Sequence, residues 1–330
     1  MHNEGGELPF VSIVIPFYNA QPSLEKCIRS LLNLNYPREK YETILVNDCS
    51  TDGSVGIANR FAELYPNNIK LINIEKKSGP AKARNKGILQ AKGEIIAFTD
   101  ADCFVHQDWL RAMISRFDEV RVGGVKGNTM PSDPSRSFLF NADIPFSIKG
   151  FQTCNIAFRR DVLISVGLFD ENFSVPFRED DDLAFSVLGK EFMIIFEPKA
   201  IVFHPIKKGM RKIVRWGLQH RFDALLYKKH PKRAAKLLNV KLGFITSWGL
   251  AFCASTFSLL LLAISLYLMN TPLQILSISI IIFGYTTTFL KHYRQKGIFG
   301  LIGPIVLYVF LFFCEIGRLY GSLRFKKLIF

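Results

Sequence analysis

Ile95-Ile96-Ala97-Phe98-Thr99-Asp100-Ala101-Asp102 is the stretch on which the reading of this chain turns. An apolar run ends abruptly in two carboxylates one residue apart. A run of this length, bounded by Gly93 and a charged turn, predicts a buried strand. Asp100 and Asp102 then stand at its carboxyl end, where open α/β sheets bind ligands. Two hard oxygen donors there suit Mg²⁺ or Mn²⁺, and such an ion would hold a substrate diphosphate. For an isolated Asp-x-Asp the commoner reading is a solvated turn, so the rest of the chain has to decide.

Upstream, the pattern alternates. Val11 to Phe17 is an apolar run closed by Pro16-Phe17-Tyr18-Asn19, a strand followed by a loop. Pro22 to Leu34 carries Leu24, Ile28, Leu31 and Leu32 near helical spacing, with Pro37 beyond its end. Tyr41 to Val46 reads as a second strand, and the turn Asn47 to Gly53 opens a helix running to about Tyr65. Ile69 to Ile74 is a third strand, and Pro80 to Ala91 a helix with proline at its first position. Strand and helix in alternation predict a mostly parallel α/β sheet.

Beyond Asp108 the order loosens. A helix over Gln107 to Phe117 leads to a strand over Val122 to Met130. Pro131 to Lys149 is rich in turn formers and reads as a loop facing an acceptor. Short strands follow at Cys154 to Phe158, Met193 to Phe196 and Ile201 to Phe203, with a helix over Asp180 to Leu188.

The chain has 330 residues and a formal net charge of +14, unevenly spread. Lys207, Lys208, Arg211, Lys212, Arg215, Arg221, Lys228, Lys229, Lys232, Arg233, Lys236 and Lys241 face the single acid Asp223. That basic segment abuts an apolar region, which favours anionic lipid over nucleic acid, and no nucleic-acid motif is present. Three apolar spans follow, 243–269, 273–290 and 298–319, the last interrupted by Glu315 and Arg318. They predict a helical membrane region, with the basic loop Lys291 to Lys296 on the cytoplasmic side. The division expected is a catalytic domain over 1–205, a basic amphipathic segment over 206–242 and a membrane region over 243–330. Six scattered cysteines without Cys-x-x-Cys spacing fit a reducing compartment. A polar N-terminus carrying acids speaks against a secretory signal. The expected location is a cell inner membrane, multi-pass, with the catalytic domain in the cytoplasm.

Five motifs now stand in order: Val11-Ser12-Ile13-Val14-Ile15-Pro16-Phe17-Tyr18-Asn19, Val46-Asn47-Asp48-Cys49-Ser50-Thr51-Asp52-Gly53, Gly79-Pro80-Ala81-Lys82-Ala83-Arg84-Asn85, Asp100-Ala101-Asp102, and Glu179-Asp180-Asp181-Asp182-Leu183. Each is weak alone. Together, over about Pro9 to Tyr227, they resemble the family 2 glycosyltransferases of the GT-A fold, in the branch anchored to membranes by C-terminal helices. The resemblance implies a Rossmann-like mixed sheet, a nucleotide-sugar donor carrying UDP or GDP, a divalent metal and a single inverting displacement. The acceptor implied is lipid-linked or a glycan, in envelope or exopolysaccharide assembly.

The residues read physically as follows. The Asp48 carboxylate, at a strand end, can accept hydrogen bonds from a uracil or guanine edge; the plainer alternative, a helix N-cap, suits Ser50, Thr51 and Asp52 better. Pro16 and Tyr18 resemble the donor-side positions, with the Tyr18 ring on the base. Arg84 is either a cation for the nucleotide or diphosphate or half of a structural ion pair. Asp100, Ala101 and Asp102 form the donor and metal segment, with Asp102 the direct ligand and His204 resembling a residue that completes the metal site in some relatives.

Glu179 to Asp182 are four adjacent acids. They suit a solvated helix start, but clustered carboxylates also raise one another's pKa, as a general base requires. The family pattern makes Asp180 that base, with Glu179 and Asn155 on the acceptor side. Lys212-Ile213-Val214-Arg215-Trp216 resembles the Gln-x-x-Arg-Trp signature of processive synthases with its glutamine replaced. A basic amphipathic helix on a membrane is the preferred reading there, with Arg215 and Trp216 also acceptor-side candidates. Two rivals remain: a polyprenyl-phosphate sugar synthase, and a catalytically silent sugar-nucleotide-binding module.

Overall fold

The structure, a computed structural model, describes residues 7–133, 150–205, 210–241, 245–246, 272 and 303–329. The chain divides into two compact units, one formed by Met1–Ser137 and Asn141–Ile206, the other by Phe138–Phe140 and Lys207–Phe330.

The first unit is built on an eight-stranded mixed sheet. In chain order the strands are β1 (Val11–Phe17), β2 (Tyr41–Asn47), β3 (Ile69–Asn73), β4 (Ile95–Phe98), β5 (Phe104–Val105), β6 (Val122–Pro131), β7 (Ile156–Arg159) and β8 (Met193–His204). Across the sheet they lie in the order β3-β2-β1-β4-β7-β6-β8-β5. β3, β2, β1 and β4 run parallel, with Val14 level with Ile44 on one side and Phe98 on the other. β7 then runs antiparallel to both β4 and β6.

Parallel strands covered on both faces favour apolar residues; all seven residues of β2 are buried, and its Glu42 carboxylate accepts from Ser12 Oγ at 2.6 Å. In β1 the period of two sorts the side chains: Val11, Ile13, Ile15 and Phe17 join one core, Val14 the other. The first core also takes in helices α1 (Leu24–Leu32) and α4 (Trp109–Ile114). The second takes in α3 (Pro80–Gln90), α5 (Arg160–Ser165) and α6 (Glu179–Gly189). Helix α2 (Ser54–Leu64) adds Ala58 and Phe61 to the first core. Each fully buried Ile, Leu or Phe contributes about 1.5–3 kcal/mol.

Two strands expected over Met193–Phe196 and Ile201–Phe203 are one strand. β8 is irregular against β6, where Gly127 pairs with Glu197 but Asn128 pairs with Ile201. Pro198, which has no N–H to donate, sits in that irregularity.

In the second unit, helices α7 (Met210–Gln219), α8 (Asp223–Lys229) and α9 (Pro231–Leu238) precede the short pair β9 (Val240–Lys241) and β10 (Ile245–Thr246). Helix α10 (Gly303–Phe325) closes the unit. A Cβ on Gly321 would fall 1.9 Å from the Arg221 carbonyl oxygen. Only glycine allows that approach.

This packing corrects the membrane expectation. Among the described residues no helix is long and apolar enough to cross a membrane. The span expected over 298–319 falls largely in α10, where Glu315 and Arg318 are buried. Arg318 Nε donates to Asp223 at 2.9 Å, and Arg318 also pairs with Glu315. Charged groups so placed are costly in hydrocarbon but can be held by partners in a packed helical unit. The location at a multi-pass inner membrane is therefore not retained. The spans expected at 243–269 and 273–290 lie outside the described residues apart from Ile245 and Thr246, and the basic loop Lys291 to Lys296 and most of the Pro131–Lys149 loop lie outside them as well.

Candidate active site

The carboxyl ends of β1, β2 and β4 converge on one rim of the sheet. The loops after β1 and β2 are stitched together: the Thr51 amide donates to Asn19 Oδ1 at 2.8 Å, and the Ala20 amide to Ser54 Oγ at 2.8 Å. Pro16 lies inside β1, half-buried. Tyr18 emerges from its end with 41 % of its surface exposed, and Lys77 Nζ stands 3.4 Å from the centre of its ring.

Asp48 occupies the end of β2 and is almost wholly buried. Its two carboxylate oxygens accept the amides of Ser78 at 2.7 Å and Gly79 at 2.9 Å. This pins the loop between β3 and α3 to the rim. A base edge would share those oxygens with two amides already in place, since a carboxylate has room for further donors. Asp48 is therefore first the anchor of a loop, a partnership that spacing alone could not reveal.

Arg84, on α3, lies between two carboxylates. Its Nη2 donates to Asp100 Oδ1 and its Nη1 to Glu179 Oε1, each at 3.0 Å. Arg84 and Glu179 are both buried. Of the two readings open for Arg84, the ion pair is formed, and it is formed inside the site. One guanidinium thus ties the β4 end to the start of α6.

At that start, burial pushes the Asp180 carboxyl well above its ordinary pKa, with Asp181 and Glu179 adding repulsion. Asp180 Oδ1 accepts the Asp181 amide at 2.9 Å. Burial also raises Glu179, against the pull of Arg84. Arg178, just before the helix, holds a left-handed φ of 74° and reaches Asp181 at 3.0 Å. A non-glycine residue in that region is strained, and such strain gathers at functional sites.

Beyond Asp100, Ala101 is buried in the core, so only its backbone can face a ligand. Asp102 lies with Oδ1 4.0 Å from His204 Nε2, at the end of β8. His204 Nδ1 is 2.9 Å from the Pro205 carbonyl. A proton on Nδ1 satisfies that carbonyl and leaves the Nε2 lone pair toward Asp102, the arrangement of a metal-binding imidazole. Donor atoms of Asp102, Cys103 and His204 lie within 4.8 Å of one another. A carboxylate and an imidazole suit Mn²⁺. The Cys103 thiol is held protonated by its contact with Cys154 and by burial, so it makes a poor ligand. Asp100 has one oxygen committed to Arg84.

Asn155 departs from expectation. Its Oδ1 accepts from Trp109 Nε1 at 2.9 Å and its Nδ2 donates to the Ala200 carbonyl at 3.0 Å. With 2 % exposure it is a strut inside the sheet, so it does not line an acceptor surface. Arg215 is exposed and Trp216 half-buried on α7, in the second unit.

Residues 12–167 match the family model described as glycosyl transferase family 2. Residues 12–167 carry a family 2 glycosyltransferase domain. Glycosyltransferase AglE of Haloferax volcanii is 34% identical over 172 residues, 49% of this chain and 56% of that protein. The minor teichoic acid biosynthesis protein GgaA of Bacillus subtilis is 34% identical over 235 residues, 65% of this chain and 52% of its own length. The chain thus spans about half the length of these two relatives. Among solved structures, the mannosyltransferase PcManGT of Pyrobaculum calidifontis, in complex with GDP-Man and Mn²⁺, superimposes with a TM-score of 0.68. It is 21% identical, over 96% of this chain and 88% of that one. The likeness establishes a mixed α/β, GT-A-like fold for the family 2 domain.

Proposed function

We propose that the protein is an inverting, metal-dependent glycosyltransferase that moves a sugar from a UDP- or GDP-linked donor to a hydroxyl of an envelope glycan or lipid-linked saccharide. The observation that carries the reading is the bridge Asp100–Arg84–Glu179. It sets the strand end that bears Asp102 against the helix start that bears Asp180.

In this reading Pro16, Tyr18 and Asp48 form the nucleotide side. Tyr18 offers an exposed ring, and Asp48 holds the Ser78–Gly79 amides at the same rim. Asp102 and His204 would hold Mg²⁺ or Mn²⁺, with Asp100 beside them; the chemistry such an ion would supply is neutralisation of charge on the departing nucleoside diphosphate. Asp180 takes the proton from the acceptor hydroxyl, for which a raised pKa is an advantage. Glu179 is a positioning residue, since its contact is with Arg84. The family 2 domain and relatives named for teichoic acid synthesis support the substrate class.

The test is metal-dependent donor hydrolysis by the purified chain across UDP-, GDP- and dTDP-sugars. One donor consumed only with Mn²⁺ or Mg²⁺, and not by Asp102→Ala, is the expected result. No consumption of any donor, with envelope glycan extract supplied, would remove the transferase reading.

A further inference from the structure

An open groove of about 910 Å³ runs along β3 and the outer face of α3. β3 is the edge strand of the sheet, so this face of the first unit has no neighbouring strand. Helix α3 buries Ala81, Ala83, Arg84, Gly87 and Ile88 and turns Lys82 and Lys86 outward. These two lysines are one turn apart, about 6 Å along the axis. Lys76 and Lys77 line the same groove from the preceding loop.

Among the described residues Lys76, Lys82 and Lys86 have no carboxylate partner. Of the two acids in the lining, Glu171 accepts from Asn85 at 3.1 Å, and Glu75 is exposed. The lining carries the four lysines Lys76, Lys77, Lys82 and Lys86 against the two carboxylates Glu75 and Glu171, a net positive surface that attracts anions.

It is also continuous with the proposed donor side. Lys77 lies over the Tyr18 ring, and the next two residues give their amides to Asp48. A single loop thus forms a wall of the groove and part of the donor rim.

We propose that this groove binds the phosphodiester chain of an anionic polyol-phosphate acceptor and lays it beside the donor site. Charge identifies phosphate as the recognised group. The remaining lining favours a flexible polyol between phosphates. Asn73, Ser78 and Gln90 offer hydrogen bonds, while the apolar contribution comes from aliphatic Leu71, Ile72, Ile74 and Leu89. Among the described residues no aromatic ring lines the groove. Single-stranded nucleic acid, which depends on ring stacking for its affinity, is poorly served by such a surface. The acceptor role rests on the transferase reading above; the binding itself does not.

The experiment uses the full chain and fluorescently labelled poly(glycerol phosphate), read by anisotropy, with neutral dextran and a single-stranded oligonucleotide as comparators. Wild type is expected to bind the polyol phosphate, with affinity falling as salt rises, and to ignore dextran. Lys82→Glu/Lys86→Glu should weaken binding about tenfold or more, as two charge contacts are reversed. Donor hydrolysis by that variant should equal wild type. Lys82→Gln/Lys86→Gln carries the same test in milder form if the glutamate pair misfolds. Equal binding by variant and wild type overturns the proposal. So does an oligonucleotide that binds as tightly, or free UDP that displaces the probe. Intact polyol-phosphate binding with no donor hydrolysis by wild type would leave the groove standing and remove the transferase.

Discussion

Arg84 donates to Glu179 at 3.0 Å, closing a buried ion pair between residues 95 positions apart. Asp100 takes the other arm of the same guanidinium. The site is assembled around this cation, which carries no chemistry of its own in the proposed reaction.

Removing the cation should therefore cost both fold and activity. Arg84→Met leaves the buried Glu179 carboxylate without its counter-ion and frees Asp100. The expected loss is about 3–5 kcal/mol of stability, the usual cost of breaking a buried pair from one side. Denaturant unfolding measures it. The double variant Arg84→Met/Glu179→Gln should lose less than the sum of the two single changes, because the unpaired charge is gone. Additive losses would mean that the pair is not coupled.

Asp180 sets the pH dependence. Its carboxyl is raised by burial first and then by Asp181 and Glu179. A base must be deprotonated to act, so kcat should climb with pH through a limb lying above the ordinary carboxylate value of about 4. Below that limb Asp180 holds its proton and the rate falls. Asp181→Asn removes one of the repelling charges and should move the limb to lower pH. Asp180→Asn should lower kcat about a hundred- to ten-thousand-fold while donor binding persists. A pH–rate profile of the three proteins reads all of this, and an unmoved limb in Asp181→Asn would exclude Asp180 as its source.

The metal site predicts an asymmetry between neighbours. His204→Ala should weaken Mn²⁺ binding by about tenfold or more, since the loss of even an outer-shell partner commonly has that effect. Cys103→Ser should leave it unchanged, because Cys154 and burial raise that thiol's pKa and keep it protonated. Electron paramagnetic resonance of Mn²⁺ titrated into each variant distinguishes them. Loss of binding in Cys103→Ser with retention in His204→Ala would reverse the ligand assignment.

Much of the sheet was legible in the sequence because its inner parallel strands β1, β2 and β4 are buried on both faces. Val11–Phe17 reads as an apolar run for that reason, and Tyr41–Val46 as a second strand. Phe104–Val105 was not legible: two residues carry no period, and their pairing with β8 is a tertiary fact. Asp100, Asp102 and Asp180 announced themselves by pattern. The partners of Arg84 and Asp48 did not, because each bond joins residues remote in sequence. Asn155 misled because an amide beside a strand end looks the same in sequence whether it faces a ligand or braces the sheet. The apolar run at 298–319 misled for a related reason. A helix packed on one side in protein and a helix crossing lipid can share their composition, and the discriminating signal was Glu315 and Arg318, charges paired with each other and, for Arg318, with Asp223.

Gly79 offers the last prediction. It caps α3 with φ at 92°, and a Cβ there would stand 2.7 Å from the Ser174 carbonyl oxygen. Alanine must therefore adopt a left-handed backbone against a rigid neighbour, at a cost of about 1–3 kcal/mol. The strain falls on the loop whose amides Asp48 holds, so Gly79→Ala should also loosen the donor rim and raise the KM for the nucleotide sugar. Asp48→Asn provides the comparison: it leaves Gly79 unstrained but replaces one acceptor oxygen with an NH₂ that cannot receive an amide. Both variants should weaken donor binding, while only Gly79→Ala forces a clash with Ser174. Isothermal titration with the free nucleotide, beside thermal unfolding, separates the two effects. Unchanged nucleotide affinity in both would take the Ser78–Gly79 loop out of the donor site.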